Sequence, residues 1–210
     1  MSDLVFMGPP GGGKGTVGKL LQRAGLADHV STGELIRTYL TTLPADDPLN
    51  ERIAAGHFLS DDEITALLIR HVDNVDRRII FDGYPRNLEQ ITLLIRILER
   101  AERTLHAAIL FELPDEQVID RISGRYNCQT CKTVYHRLFN PAPDNRCVCG
   151  STSFETRSDD RAEVVAARLA RYHQVTEPMI DRFENMRLLR VVNADQSVEA
   201  VMKEVMIAAS

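Results

Sequence analysis

Gly8-Pro-Pro-Gly-Gly-Gly-Lys-Gly-Thr16 joins an apolar run at residues 4–7 to a helix-like stretch at residues 17–23. Glycines allow successive backbone N–H groups to curl around phosphate oxygens, and the N-terminus of the following helix adds positive potential. Lys14 has the reach to contact terminal phosphates. The order strand, glycine loop, helix therefore predicts a phosphate-binding loop.

Two other interpretations of this loop fit its sequence less well. A flexible glycine turn with a surface lysine is disfavoured by the strand before it and the helix after it. Gly13-Lys-Gly15-Thr-Val-Gly18 also spells a dinucleotide-binding fingerprint, but no strand-terminal acidic residue follows at the required distance. The loop departs slightly from the general phosphate-loop pattern, because Gly15 follows Lys14 and the hydroxyl comes one place later, at Thr16.

Composition predicts one soluble, globular protein. The 210 residues are 44% apolar and 26% charged, and the formal net charge is −5. The negative charge argues against nucleic acid or an anionic membrane as a partner. No apolar run approaches the roughly 20 residues of a membrane span, and no basic and apolar leader is seen, so we expect a cytoplasmic protein.

The chain alternates strand-like and helix-like segments. Short β-rich runs occur at residues 4–7, 28–30, 78–81, 107–113 and 188–192, and capping boxes at Ser31/Glu34 and Ser60/Glu63 predict helix starts. Further helices are predicted at 61–72, 88–103 and 115–122. This alternation predicts a doubly wound, five-stranded parallel sheet whose first three loops, 8–16, 31–34 and 82–86, converge on one crevice.

Two segments interrupt the alternation and predict insertions into the core. Residues 32–60 lack a strand signal and carry two prolines, which indicates a small helical insertion. Residues 126–159 hold all four cysteines and are rich in turn formers, which indicates a loop-like segment with too few apolar residues for a core of its own. The core is then expected to comprise residues 1–31, 61–125 and 160–210.

Charged residues at the predicted crevice fit phosphate chemistry. Asp82 ends the third strand and could hold Mg²⁺ directly or through water, although an Asp before Gly is also a common turn former. Arg161 and Arg168 share a helix face, and Arg157 precedes that helix. The alternative is a solvated arginine face paired with acidic neighbours, and Asp159 and Asp160 could order arginines or cap the helix.

Five segments occur in one order along nearly the whole chain, and together they resemble an adenylate kinase of the nucleoside monophosphate kinase family, in its long-lid bacterial type with a cysteine cluster in the lid. They are the phosphate loop, Ser31-Thr-Gly-Glu-Leu-Ile-Arg37, Phe81-Asp-Gly-Tyr-Pro-Arg86 with Gln90, Arg121-Ile-Ser-Gly-Arg125, and Ser158-Asp-Asp160 with Arg168-Leu169.

The resemblance implies that one insertion closes over AMP and the other, the lid, closes over ATP. It assigns ATP to the phosphate loop, to residues in and just before the lid, and to the loop after the last strand: Gly11, Gly12, Gly13, Lys14, Gly15, Thr16, Arg121, Val134, Tyr135 and Gln196. It assigns AMP to Thr32, Arg37, His57, Phe58, Leu59, Gly83, Tyr84, Pro85, Arg86, Gln90, Arg157 and Arg168. Catalysis falls to Lys14, Arg86, Arg125, Arg157 and Arg168.

Two departures from the family pattern stand out. Ala194 occupies a place where the family usually has glycine, and Gln196 one where lysine is common, so ATP contacts from that loop are open. Tyr84 replaces a common phenylalanine. None of these residues is expected to touch the reacting phosphates.

The four thiols predict a structural zinc site. Cys128, Cys131, Cys147 and Cys149 lie close together in the sequence of a protein expected in the cytoplasm, where disulfides are rare. The Cys147-Val-Cys149 spacing is one residue shorter than the usual Cys-x-x-Cys. His136 therefore stays open as a substitute ligand, and a metal-free lid with free thiols is the alternative.

The expected reaction is ATP + AMP ⇌ 2 ADP, with Mg²⁺ on ATP, in a monomer. A kinase for another nucleoside monophosphate and a different P-loop NTPase are the alternatives. A switch GTPase would need Asp-x-x-Gly and Asn-Lys-x-Asp segments, which do not occur in this context. A zinc module that binds nucleic acid is disfavoured by the negative charge.

Overall fold

A computed structural model describes residues 2–44, 46–49, 59–138, 140–156, 160 and 162–210; the side chains of residues 37, 162 and 163 are also outside the description. Its main sheet has five parallel strands in the order β2-β3-β1-β4-β8. The strands are β1 (Ser2–Met7), β2 (Asp28–Ser31), β3 (Ile79–Asp82), β4 (Thr104–Glu112) and β8 (Leu189–Asn193). The predicted parallel sheet is confirmed.

Helices cover both faces of this sheet. They are α1 (Lys14–Arg23), α2 (Thr32–Thr42), α3 (Asp61–Val72), α4 (Leu88–Arg100), α5 (Asp115–Ser123), α6 (Ala162–Arg171), α7 (Met179–Asn185) and α8 (Val198–Ala208), with a π-helical turn (Tyr172–Thr176) between α6 and α7. No helix in the described ranges has the length and apolar character needed to cross a membrane.

Alternation along the strands explains the two layers. Leu4 and Phe6 of β1 pack with the apolar faces of α1, α5, α6 and α8, whereas Val5 and Met7 pack with those of α3, α4 and α7. Successive strand residues point to opposite faces, so a strand buried on both sides needs a continuous apolar run. The runs at residues 4–7, 79–81 and 107–111 have this property.

The predicted helix starts have different outcomes. At Ser60 the capping box is confirmed, since Ser60 Oγ accepts from the Glu63 N–H at 3.2 Å and Glu63 Oε2 accepts from the Ser60 N–H at 2.7 Å. At Ser31 the box is wrong. Ser31 precedes α2 without a side-chain cap, and Glu34, which would complete the box, accepts instead from Lys19 Nζ at 2.5 Å.

The helix predicted over 88–103 ends three residues early, at Arg100. Glu102 has a positive φ of 54°, which breaks the helix and redirects the chain. Arg103 then turns into the core, where it donates to both carboxylate oxygens of Asp3, at 2.8 and 2.6 Å. This buried ion pair joins the starts of β1 and β4.

The expectation of a loop-like segment at 126–159 is wrong in part. Strands β5 (Arg125–Cys128), β6 (Val134–His136) and β7 (Phe154–Glu155) form a small antiparallel sheet in the order β6-β5-β7. Tyr126, Tyr135 and Phe154 pack with ring centroids 5.2–5.8 Å apart. Three aromatic rings therefore supply a core that a count of aliphatic residues does not reveal.

We predict that Arg103→Met lowers the free energy of unfolding by about 3–5 kcal/mol, because it leaves the carboxylate of Asp3 buried without a counter-charge. Both side chains are almost fully buried, at 6% and 0% exposure. Chemical denaturation measures the change. Arg100→Met is the control, because its pair with Asp73 is exposed and should be worth at most about 1 kcal/mol. Equal losses in the two variants would contradict the prediction.

Candidate active site

The loop between β1 and α1 is built for close approach of its backbone to a ligand. Gly8, Gly11 and Gly13 have φ of 133°, 79° and 85°, which only glycine adopts readily. A Cβ on Gly8 would also lie 2.5 Å from the Phe111 carbonyl oxygen of β4. The glycines are therefore required by conformation at this turn, and the N-terminus of α1 follows directly.

Lys14 is folded over this loop. Its ammonium donates to the carbonyl oxygens of Gly8 at 2.8 Å and Pro9 at 2.7 Å. Burial lowers the pKa of Lys14 from an ordinary 10.5 to about 8; Asp82 opposes the shift, and Arg168, Arg86 and Arg125 add to it. The predicted catalytic arginines that the structure describes are thus close enough to act on Lys14.

Asp82 lies at the carboxyl end of β3, level with Phe6 and Ser31 on the neighbouring strands. Its Oδ2 is 3.1 Å from Nε2 of His29. Burial by itself would raise the pKa of Asp82, but the hydrogen bond to His29 and the charges of Lys14 and Arg86 lower it overall. Asp82 is therefore a carboxylate at the crevice.

His29 was not singled out by the sequence. It is 7% exposed, and a Cβ on Gly18 of α1 would lie 2.1 Å from its ring, so Gly18 makes the room that the imidazole occupies. Histidine in a short apolar strand carries no signal of this role by itself. The pairing with Asp82 depends on which residue of β3 lies beside β2, which is a tertiary fact.

The loop after β3 assembles several of the residues that the resemblance assigns to AMP. Thr32 Oγ1 donates to the Gly83 carbonyl oxygen at 3.0 Å, and Arg86 Nε donates to the same oxygen at 2.7 Å. A Cβ on Gly83 would lie 2.7 Å from Thr32 Oγ1, so this position also excludes a side chain. Tyr84 is 1% exposed and its ring belongs to the core, which leaves its backbone at the loop.

Gln90, in the first turn of α4, lies beside these residues of the loop after β3. Its Oε1 accepts from the Arg86 N–H at 2.7 Å, and its Nε2 donates to Asp61 Oδ1 at 2.7 Å. Asn87 caps the helix, because its Oδ1 accepts from the Gln90 N–H at 2.9 Å. The amide of Gln90 is thus held between two elements, and sequence reasoning did not anticipate Asp61.

Arg125 is the first residue of β5 and Asp160 lies just before α6. Arg125 Nε donates to Asp160 Oδ2 at 2.8 Å, and Arg125 Nη2 also contacts Asp160 Oδ1. The suggestion that Asp160 orders an arginine is therefore confirmed. The pair joins the two ends of the segment that contains the small sheet.

The predicted ATP-binding residues beyond the loop are spread more widely. Arg121 of α5 is 3.5 Å from Asp195, and Gln196 donates from Nε2 to the Asn193 carbonyl oxygen at 2.8 Å and to Glu204 at 2.7 Å. Val134 and Tyr135 lie in β6, where the Tyr135 hydroxyl contacts Cys147 Sγ at 3.3 Å. The side chain of Tyr135 therefore packs within the small sheet's own core.

Some predictions lie outside the described residues. They are His57, Phe58, Arg157, Asp159, Arg161 and the side chain of Arg37. Leu59, at the edge of the described range, is buried at 5% exposure.

Four thiols converge at one end of the small sheet. The sulfur atoms of Cys128, Cys131, Cys147 and Cys149 all lie within 4.8 Å of one another. Backbone N–H groups of Cys131 and Thr130 help to lower the pKa of Cys128 to about 6, the Cys131 contact being the larger cause. A thiolate is the form that binds metal ions, so this group is a candidate metal centre.

Both ring nitrogens of His136 make hydrogen bonds to backbone groups. Its Nδ1 accepts from the Leu138 N–H at 3.1 Å, so its Nε2 carries the proton and donates to the Asp120 carbonyl oxygen at 3.1 Å. With both ring nitrogens engaged, the imidazole cannot also supply a ligand. The alternative in which His136 replaces Cys149 is therefore not supported by the geometry.

Comparison with known proteins agrees with this geometry. The family model described as adenylate kinase matches residues 6–188. The chain belongs to the adenylate kinase family. It is 33% identical to adenylate kinase of Rickettsia africae (strain ESF-5) over 203 residues, which cover 94% of each chain.

Two further relatives match over slightly more of the chain. The chain is 35% identical to adenylate kinase of Symbiobacterium thermophilum (strain DSM 24528 / JCM 14929 / IAM 14863 / T) and 34% identical to that of Paramagnetospirillum magneticum (strain ATCC 700264 / AMB-1), each over 207 residues, 96% of this chain and 95% of the relative. The family assigns phosphoryl transfer, ATP + AMP ⇌ 2 ADP, to this chain. The alternative functions are disfavoured.

We predict that Lys14 of the nucleotide-free protein titrates near pH 8. Because an unfolded lysine keeps its proton to about 10.5, the unfolded state binds more protons between pH 8 and 10.5, and the free energy of unfolding should rise across that window. Comparing wild type with Lys14→Met isolates this contribution. NMR of the lysine Cε groups measures the titration directly, and the chain has only four lysines.

Adding ADP should raise this pKa, because phosphate oxygens stabilise the ammonium. A lysine that titrates near 10.5 without nucleotide would contradict the prediction. So would a pKa that ADP leaves unchanged.

Proposed function

We propose that phosphoryl transfer takes place between the phosphate loop and the loop after β3, with Lys14, Arg86, Arg125, Arg157 and Arg168 as the residues that touch the reacting phosphates. The observation that carries this assignment is that Asp82, Arg168, Arg86 and Arg125 all lie close enough to Lys14 for their charges to act on its ammonium. Cations held this close to one another lower their own affinity for protons, so an anion of high charge is the ligand they favour.

Transfer between two phosphates needs alignment and charge neutralisation rather than a covalent enzyme intermediate. Lys14 is positioned to leave the carbonyl oxygens of Gly8 and Pro9 for phosphate oxygens, since these contacts are with neutral acceptors. Arg125 would exchange Asp160 for a phosphate as the crevice closes. Both steps bring positive charge to the transferring group where negative charge accumulates.

Asp82 is proposed to hold Mg²⁺ through water. The residues fit the ion, because the carboxylate is kept ionised and its Oδ2 lies 3.4 Å from where a Cβ on Gly15 of the phosphate loop would stand. Mg²⁺ bound to ATP neutralises phosphate charge and orients the phosphates for attack. Asp82 would orient the water shell of the ion.

The two nucleosides are proposed to occupy opposite sides of the crevice. On the ATP side, Gly11, Gly12, Gly13, Gly15 and Thr16 surround the phosphates, while Arg121, Val134, Tyr135 and Gln196 lie near the base. On the AMP side are Thr32, Arg37, Gly83, Tyr84, Pro85, Arg86 and Gln90, with His57, Phe58 and Leu59. Closure of insertions 32–60 and 126–159 over the core, 1–31, 61–125 and 160–210, would exclude water, which otherwise accepts the phosphoryl group.

Cys128, Cys131, Cys147 and Cys149 are proposed to bind one structural Zn²⁺. The fit rests on four sulfur atoms within 4.8 Å of one another, a donor set typical of closed, tetrahedral zinc sites. The metal would stabilise the small sheet and take no part in transfer. We also propose a cytoplasmic monomer, which agrees with the reduced thiols and the family resemblance.

The reaction is tested by incubating the pure protein with ATP, Mg²⁺ and each of AMP, GMP, CMP and UMP, then resolving the nucleotides. We expect ADP from AMP and little product from the others. Preferred use of another monophosphate would identify a different kinase of the same family. Release of phosphate from ATP at the same rate without any acceptor would indicate an ATPase.

We predict that Lys14→Met and Arg125→Ala each lower kcat by about 10³ or more, because each cation neutralises charge that grows at the transferring group. Steady-state kinetics with ATP and AMP measure the loss, and circular dichroism checks the fold. Lys203→Met removes an equal charge from the exposed face of α8 and should leave kcat unchanged. Turnover near the wild-type rate in either active-site variant would reject its assigned role.

We predict about one zinc per chain in protein purified without chelators, with thiols that react only after denaturation. Cys149→Ser should lose zinc and lower the thermal midpoint, whereas His136→Gln should keep zinc because its ring nitrogens serve other contacts. Elemental analysis and thiol titration measure both. Metal-free wild-type protein with four reactive thiols would reject the site.

A further inference from the structure

We propose that Asp61 is a positioning residue that fixes the amide of Gln90 in one orientation, and that this orientation makes the acceptor site select a 6-aminopurine over a 6-oxopurine monophosphate. The inference rests on the proposed function, in which Gln90 contacts the base of the acceptor. It assigns the base choice to a residue that does not itself touch the base.

Two hydrogen bonds fix the amide. Gln90 Nε2 donates to Asp61 Oδ1 and Gln90 Oε1 accepts from the Arg86 N–H, both at 2.7 Å. Gln90 is 4% exposed, so water cannot readily replace either partner. Asp61 is the first residue of α3, and Gln90 is in the first turn of α4. The contact therefore joins the helix that follows residues 32–60 to the helix that follows the loop after β3.

The chemistry of the two partners leaves one orientation. A carboxylate only accepts and a backbone N–H only donates, so the NH₂ group of Gln90 must face Asp61 and the carbonyl oxygen must face Arg86. A flip by 180° would set the amide oxygen against the carboxylate and the NH₂ group against the N–H. Both hydrogen bonds would be lost and replaced by repulsion in a buried place.

The remaining hydrogen-bonding capacity of the amide is therefore ordered in space. One lone pair on Oε1 and one hydrogen on Nε2 stay available after these two bonds. Adenine offers a donor at its 6-amino group and an acceptor at N1, so it can pair with both atoms of an amide. Guanine and hypoxanthine reverse this order, with an acceptor at O6 and a donor at N1.

If a 6-oxopurine bound in the position of adenine, its N1–H donor would face the NH₂ group of Gln90. Its O6 acceptor would face the carbonyl oxygen of Gln90. The mismatch could be relieved only by flipping the amide, which Asp61 and the Arg86 N–H oppose. Sites built on fixed hydrogen-bond partners reject such analogues strongly, because buried polar groups are left unpaired. Asp61 thus acts on base choice by raising the free energy of the flipped orientation of Gln90.

Asp61→Asn is the direct test, because asparagine has the same shape and either donates or accepts, so it tolerates both orientations of Gln90. We expect the ratio of kcat/KM for AMP to kcat/KM for GMP to fall by about 10-fold to 100-fold, the loss of roughly one opposing hydrogen bond. The change should come from the GMP reaction and from KM for AMP. KM for ATP should stay as in wild type.

Asp62→Asn is the matched control. Asp62 is the next residue in the first turn of α3 and is exposed, so this variant removes the same charge from the same helix end without touching Gln90. The ratio should be unchanged in it. Asp61→Ala, which removes the acceptor entirely, should give the same relaxation as Asp61→Asn and serves in its place if the latter does not fold.

Gln90→Leu tests the acceptor site itself, whereas Asp61→Asn tests the positioning role of Asp61. If it raises KM for AMP and relaxes base choice while Asp61→Asn leaves the ratio at its wild-type value, the positioning role is overturned and the acceptor site stands. If Asp61→Asn raises KM for AMP and GMP by the same factor, Asp61 is structural and the inference is also overturned. If Gln90→Leu leaves base choice and KM for AMP unaltered, the proposed acceptor site fails, and the inference fails with it.

Discussion

The concentration of positive charge around Lys14 at the carboxyl edge of the sheet is the constraint on which the rest of this structure depends. Burial lowers the pKa of Lys14 to about 8, and the charges of Arg168, Arg86 and Arg125 add to this shift. Such a group persists only if the scaffold holds each member in place. The doubly wound fold does so, because its parallel strands end side by side and direct their loops to one edge.

Carboxylates and carbonyl oxygens share the work of holding these cations. Asp160 binds Arg125, Asp82 sits among the group, and carbonyl oxygens of the loops accept from Lys14 and Arg86. Each of these partners is weaker as a ligand for a guanidinium or ammonium than a polyphosphate is, because it carries one charge or none. The arrangement is therefore stable without nucleotide and is still ready to exchange its partners for phosphate oxygens.

The Arg125–Asp160 pair also links the proposed phosphate site to the two ends of the proposed lid. Arg125 begins the small antiparallel sheet and Asp160 stands where the chain returns to α6, so one ion pair joins both ends of the proposed lid. A phosphate that takes Arg125 from Asp160 would release this tie at the moment of binding. The proposed lid would need rigidity of its own for such a motion, which the packing of three aromatic rings and the four converging thiols would provide.

The sequence by itself determined the fold class, the phosphate loop and the family. These follow from local patterns: five short apolar runs, a glycine loop between a strand and a helix, and motifs in a fixed order. The Ser60 capping box was predictable for the same reason, since its atoms are three residues apart. The Ser31 box was not, because Lys19, fifteen residues away in sequence, competes for Glu34.

Tertiary structure alone decided the partners. Which carboxylate meets His29, which one fixes Gln90, and that His136 turns away from the thiols all depend on contacts between residues far apart in the chain. The aromatic core of the small sheet depends on pairing between strands separated by loops. Hydrogen bonds act over about 3 Å, so their choice of partner is settled only when packing brings the atoms together.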